Sequence, residues 1–253
     1  MHKNFANTLF LGKSVEYLPE CHSTNEFLAK MVDHDNIIEG KIVVTDFQTK
    51  GKGQRGSLWL SEKGKNLLFS ILLKPHFLNA SDGYLLNIIV GLAIRSTLNN
   101  LLKGSDILLK WPNDVYVDGN KIAGILIETS LQSNSIQDAV VGIGLNVNQS
   151  HFSSLSATSL RIITGESFDL GEVLEKILIE IETYYQLLRE GAKGKILHEY
   201  HDVMLWKGEI HTFLVSNQKI EGVILGINSS GNLVMDCSGT QRVFGVKEIT
   251  FLS

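Results

Sequence analysis

Lys110, Asn113, Asp114 and Lys121 place two cations, an amide and a carboxylate in one short stretch of a chain that otherwise reads as apolar strands and amphipathic helices. Two lysines with a carboxylate between them suit an anionic ligand, a carboxylate or a phosphate, whose charge they can offset. Pro112 donates no N–H to a ladder, so residues 110–114 leave one strand and turn outward. Val115 to Val117 then runs as a strand, Asp118-Gly119 supplies the positive φ angles of a tight turn, and 121–128 returns. Ala123-Gly124 leaves room for another group to approach the backbone. Taken alone, such a hairpin is an ordinary surface feature.

Two further segments change that reading. Gly51-Lys52-Gly53-Gln54-Arg55-Gly56 matches the letters of the dinucleotide fingerprint G-x-G-x-x-G. That fingerprint requires a helix directly after it, whereas Ser57 to Ser61, a turn and a strand follow here, so the dinucleotide reading fails on context. It is not a phosphate loop of the Walker type either, because no lysine–hydroxyl pair closes it. What remains is a flexible glycine loop carrying Lys50, Lys52 and Arg55, able to fold over an anion with backbone N–H groups and cations. The third segment, Gly142-Ile-Gly144-Leu-Asn146, puts glycines in a strand, where they mark a close approach to the backbone.

The elements that must hold these segments are legible as periodicities. Residues 8–18 read as short strands around Gly12, and Ser23 to Glu26 opens a helix with a capping-box pattern. Strands are expected over 41–45, 67–73 and 138–147, with helices over 81–102, 170–189 and 195–205 and a polar, serine-rich loop over 148–159. After Trp206 the texture changes to short β-rich runs (210–215, 222–225, 233–235, 241–246) separated by glycine and Asn-Ser-Ser-Gly turns. This reads as a small β-barrel of about five strands appended to an α/β domain.

At 253 residues the chain can hold one medium domain and a small one, and its 43% hydrophobic content supplies a real core. A net charge of −4 excludes a protein whose main task is to bind nucleic-acid backbone. Cys21 and Cys237 fit no metal or redox spacing, as expected of incidental thiols in a reducing compartment. No signal-peptide run or membrane span is found, so the expectation is a soluble, cytoplasmic protein without membrane contact.

Together the three segments resemble the biotin protein ligase family, with its motifs GRGRRGxxW, KWPND…KxAGIL and GIGxN. They stand here as Gly51 to Gly56 with Trp59, Lys110 to Asp114 with Lys121 to Leu126, and Gly142 to Asn146, with Ser23-Thr24-Asn25 and Ala157 to Leu160 as further landmarks. The resemblance covers nearly the whole chain. It implies an α/β (α+β) fold: a mixed sheet with flanking helices of the biotin/lipoate ligase type over 1–206, and an SH3-like C-terminal barrel over 207–253. It implies ATP-dependent, magnesium-assisted attachment of biotin, through biotinyl-5′-adenylate, to a lysine of a biotin carboxyl carrier domain of an acyl-CoA carboxylase.

By resemblance Ser23, Thr24 and Asn25 hydrogen-bond the biotin ring system, with Gln48 near its ureido end. Gly51, Lys52, Gly53 and Gln54 close over biotin, and Gly124, Gly142 and Gly144 let it lie against the sheet. Lys121, with Asp114 and Lys52, carries the chemistry by bridging carboxylate and α-phosphate. Arg55, Gly56, Trp59, Lys110, Asn113, Asp114 and Asn146 serve the nucleotide, Asp114 also being the candidate metal ligand. The family's first loop arginine is Lys52 here and the next is Gln54, which keeps one charge but loses a bidentate fork. About twenty residues precede the first helix, too few for the DNA-binding domain some members carry. A monomer or a homodimer is expected. The alternatives are a lipoate protein ligase, whose Arg-Arg-x-x-Gly-Gly-Gly loop this chain lacks, a non-catalytic biotin sensor, and a scaffold whose barrel is an interaction module.

Overall fold

The structure, a computed structural model, describes Phe5 and residues 7–34, 37–153 and 156–252, without the side chains of residues 33, 34 and 55. Seven strands form a mixed sheet: Val15–Leu18 (β1), Ile42–Thr45 (β2), Leu67–Leu73 (β3), Ile107–Lys110 (β4), Asp114–Val117 (β5), Asn120–Gln132 (β6) and Ser135–Leu145 (β7). Their spatial order is β1-β2-β3-β7-β6-β5-β4, with β1 parallel to β2 and every other pair antiparallel. The expected fold class holds. The 107–128 segment is two consecutive hairpins, and Asp118 and Gly119 take the expected positive φ values of 48° and 79°.

Alternation along the strands separates two faces. Phe69 and Ile71, Val141 and Ile143, Ile125 and Val115 point into the main core. Over them lies helix Tyr84–Leu101 (α2), which is apolar nearly all round because Leu170–Arg189 (α4) and Lys193–Asp202 (α5) cover its outer side. The opposite face carries Ser70, Gly142, Gly144, Gly124, Asp114 and Tyr116, read from register. Helix Thr24–His34 (α1) covers only one end of it, packing Leu28 on Val43, Leu72 and Val140. The remainder of that face is open.

Five further strands, Ile210–Val215 (β8), Gln218–Ile227 (β9), Leu233–Cys237 (β10), Thr240–Phe244 (β11) and Ile249–Phe251 (β12), make an antiparallel sheet in the order β11-β10-β9-β8-β12. Its buried Phe213, Ile224, Leu233 and Met235 join the main core. Backbone bonds Leu109 N–H to Val203 O (2.8 Å) and Leu205 N–H to Leu109 O (2.9 Å) lay the segment after α5 along β4. That pairing ends α5 at Asp202, earlier than the residue 205 expected from periodicity.

Two other expectations are corrected. Residues 8–14 form turns, not strands, because the buried Glu182 carboxylate accepts the amides of Leu9, Phe10 and Leu11 at 2.5, 2.9 and 3.0 Å and so replaces a ladder. Glu26 turns its carboxylate to Lys52 instead of closing a capping box on Ser23. No helix among the described residues is long and apolar enough to cross a membrane.

The joint between α5 and the second sheet is sensitive to acid. His201 Nε2 accepts the Ile227 amide at 3.3 Å, a bond only the neutral ring can make. Burial, aided by Lys207, holds its pKa below the ordinary value, although Asp202 pulls the other way. The unfolded chain therefore takes up this proton first as pH falls through about 6.5, and stability present above that value is lost below it. The urea midpoint is expected to drop between about pH 7.5 and 5.5 by less in His201→Gln than in the unaltered chain.

Candidate active site

The open face holds a cavity of about 270 Å³. At its closed end the start of α1 meets β3. Ser23, Thr24 and Asn25 are each about 3% exposed, so their polar atoms need partners. The Thr24 amide donates to Gln48 Oε1 at 2.8 Å, which orients that side chain along the wall. Ser70, fully buried inside an apolar strand, donates its hydroxyl to Asn25 Oδ1 at 2.6 Å and lies 2.7 Å from the Thr24 hydroxyl. The Asn25 amide donates in turn to Leu126 O (3.2 Å) and Glu128 (2.8 Å). Asn25 is thus engaged by the protein itself and sets the shape of this end. It also lines the cavity, as do Ser23, Thr24 and Gln48. Ser70 was missed; its signal was a hydroxyl interrupting Leu67 to Leu73.

The floor is glycine, and side chains of the protein rest over it. A Cβ on Gly142 would overlap the Asn25 amide, and one on Gly144 would overlap the Trp59 indole. One on Gly124 would lie 3.0 Å from the same ring and 3.4 Å from Lys121 Nζ. Two of the three glycines therefore admit Trp59, and the third admits Asn25. Trp59 reaches the floor because residues 51–59 fold back on themselves, with Gly53 N–H bonded to Ser57 O (2.7 Å) and Trp59 N–H to Gly51 O (2.9 Å). Gly51 has the Trp59 carbonyl where its Cβ would stand, and Gly56 takes φ 80° in the turn. Neither reaches the cavity, whereas Lys52, Gly53 and Gln54 do. Lys52 pairs with Glu26 at 2.5 Å, which raises the lysine's pKa and lowers the glutamate's. The side chain of Arg55 lies outside the described set.

At the open end the cations gather. Lys121 Nζ lies 2.7 Å from Asp114 Oδ1 and 5.6 Å from the centre of the Trp59 ring. β5 and β6 bring this about by setting Asp114 opposite Gly124 and, after a bulge, Tyr116 opposite Lys121. Lys110 donates to the Tyr116 hydroxyl at 3.2 Å. Asn113 donates its side-chain amide to Ile125 O at 2.6 Å and accepts the Ile125 N–H at its backbone carbonyl, stapling the hairpin to β6. That makes it a structural clasp at the cavity edge, with its side chain in the cavity lining.

Beyond Trp59 lies a second cavity of about 250 Å³. Tyr116, Asn146, Gln149 and Phe152 line it, while Trp59 and Lys121 border both cavities. Asn146 donates its Nδ2 to Thr158 O at 3.0 Å, and its Oδ1 is buried with no protein partner. An unpaired buried acceptor calls for a donor from outside the protein, a water or a ligand. Phe152 was missed because an isolated aromatic in a serine-rich loop carries no periodicity. Ile249 to Phe251, which reach the first cavity from the second sheet, come from a strand too short to read.

The sheet, its glycine floor and two cavities joined at one lysine define a ligase-type domain that brings two small ligands together. The chain belongs to the Biotin/lipoate A/B protein ligase family, whose sequence profile matches residues 17–146. It is 27% identical over 243 residues to the bifunctional ligase/repressor BirA of Bacillus subtilis, covering 94% of this chain and 74% of the relative. It is 25% identical over 244 residues to the biotin–[acetyl-CoA-carboxylase] ligase of Mycobacterium tuberculosis, covering 95% and 90%. Among solved structures, the biotin protein ligase from Aquifex aeolicus in complex with biotin and ATP superposes with a TM-score of 0.78 at 32% identity, over 94% of this chain and 98% of that one.

Proposed function

We propose that this protein is a biotin protein ligase: it activates biotin with ATP as biotinyl-5′-adenylate and passes the biotinyl group to a lysine of a carboxylase's biotin carrier domain. The observation that carries the reading is Lys121, which stands where the two cavities meet. In this reading biotin occupies the first cavity with its ureido ring against Ser23, Thr24 and Gln48, displacing Trp59 from the glycine floor. The adenine lies in the second, where its exocyclic amine is a donor for Asn146 Oδ1. The carboxylate and α-phosphate then meet beside Lys121, whose charge offsets their repulsion and that of the pentavalent phosphorus. Lys52, released from Glu26, and the loop of 51–56 exclude water from the mixed anhydride.

Magnesium supplies further charge on the phosphates when bound. Among the described residues no three metal-ligating side chains gather. A single carboxylate, Asp114, with substrate phosphates as the other ligands fits how magnesium is usually held. The units 1–206 and 207–253 divide in this reading into a catalytic part and an accessory barrel.

The polar closed end favours biotin over lipoate. A ureido ring offers the hydrogen-bonded Thr24–Gln48 pair both donors and an acceptor, whereas a dithiolane offers it none. Purified protein with Mg-ATP is expected to label a biotin carboxyl carrier domain with biotin and not with lipoate. Labelling by lipoate, or tight biotin binding without labelling, would overturn the reading.

A further inference from the structure

Lys110 ends β4 on the site face, and its ammonium sits among three rings. The centroids of Phe251, Tyr116 and Trp206 lie 5.0, 5.1 and 5.9 Å from Nζ, all within cation–π range. Tyr116 is a neighbour in the same hairpin. The other two rings come from the end of the chain and from its joint with the second sheet.

Those two are themselves held in place. Trp206 stacks on Phe251 at 5.4 Å and on His211 at 4.0 Å, and Phe213 meets Phe251 edge-on at 5.2 Å. Trp206 also keeps φ at 64°, a conformation that L side chains rarely adopt and that persists only where surrounding contacts impose it. Lys110 and Phe251 both face the first cavity at its cationic end. Burial depresses the Lys110 pKa, with Asp114 raising it and Lys121 lowering it, as expected of a cation stripped of part of its water.

We propose that Phe251 and Trp206 are positioning residues: with Tyr116 they form an aromatic cage that aims Lys110 at the polyphosphate end of the nucleotide. This rests on the adenylate reading above. In that half-reaction a biotin carboxylate oxygen forms a bond to the α-phosphorus, and the bond from phosphorus to the bridging oxygen breaks. Pyrophosphate leaves with that electron pair, no proton moves, and Lys110 offsets the charge the leaving group gains. The second sheet then serves adenylation and not transfer.

Biotin-dependent exchange of pyrophosphate into ATP reads the first half-reaction, and transfer from preformed biotinyl-5′-adenylate to a carrier domain reads the second. Phe251→Leu is expected to raise the KM for Mg-ATP about tenfold and to leave transfer from the adenylate as it was. Phe251→Tyr, which keeps the ring, should restore the KM, and Phe251→Leu should add nothing in a Lys110→Met background. Equal losses in both half-reactions, or a full effect of Phe251→Leu without Lys110, would overturn the cage. Absence of biotin-dependent exchange in the unaltered protein would instead remove the adenylate reading on which it rests.

Discussion

Lys121→Ala is expected to slow biotin-dependent pyrophosphate exchange by about a thousandfold, the scale of losing a preorganised charge at a reacting phosphoryl group. Lys121 is the cation that borders both cavities, so in the proposed reading it faces the acyl carboxylate and the α-phosphate together. The ground state gains from the same charge, because two anions must approach before a bond can form. Biotin affinity should therefore fall too, by about tenfold for one charge-assisted hydrogen bond. The fold should survive. The Lys121–Asp114 pair is partly exposed, with side chains 32% and 21% accessible, and such pairs add little to stability. A variant that kept exchange within tenfold of the unaltered protein would move the essential charge to Lys110 or Lys52.

Gly142→Ala should lower biotin affinity about ten- to a hundredfold while leaving a folded protein. The added methyl overlaps the Asn25 amide, whose carbon lies 2.9 Å from where the Cβ would stand. Asn25 cannot retreat cheaply, because its amide is bonded to Ser70, Leu126 and Glu128. Either those bonds break or β7 shifts, and overpacking of this kind costs about 1–3 kcal/mol. Both outcomes deform the end where the ureido ring is to sit. Calorimetric titration with biotin reads the affinity, and a thermal midpoint reads the fold. Unchanged affinity would mean that the ring lies elsewhere in the cavity.

Much of the architecture was legible because it follows from periodicity. The helices α2 and α4, the core strands and the change of texture after Trp206 all carry patterns that burial imposes. Residues 8–14 misled because a distant carboxylate, Glu182, satisfies their amides, and no local pattern announces that. At the site, motif letters marked the places and left the hydrogen-bond partners unread. Most of the marked residues face one of the two cavities. Asn25 and Asn113 also bond to the walls, and side chains of the protein itself rest over the floor glycines. Such roles depend on which partner fills which hydrogen bond, and a one-dimensional string does not record partners. Phe251 could be recognised only once the second sheet had placed it.

The indole of Trp59 is a party wall. One ring borders both cavities while resting on Gly124 and Gly144, so whatever moves it to make room on one side alters the room on the other. Two ligands that share such a wall cannot bind independently. Each becomes an effector of its neighbour, and the factor by which the first changes the affinity of the second must equal the factor in the reverse direction.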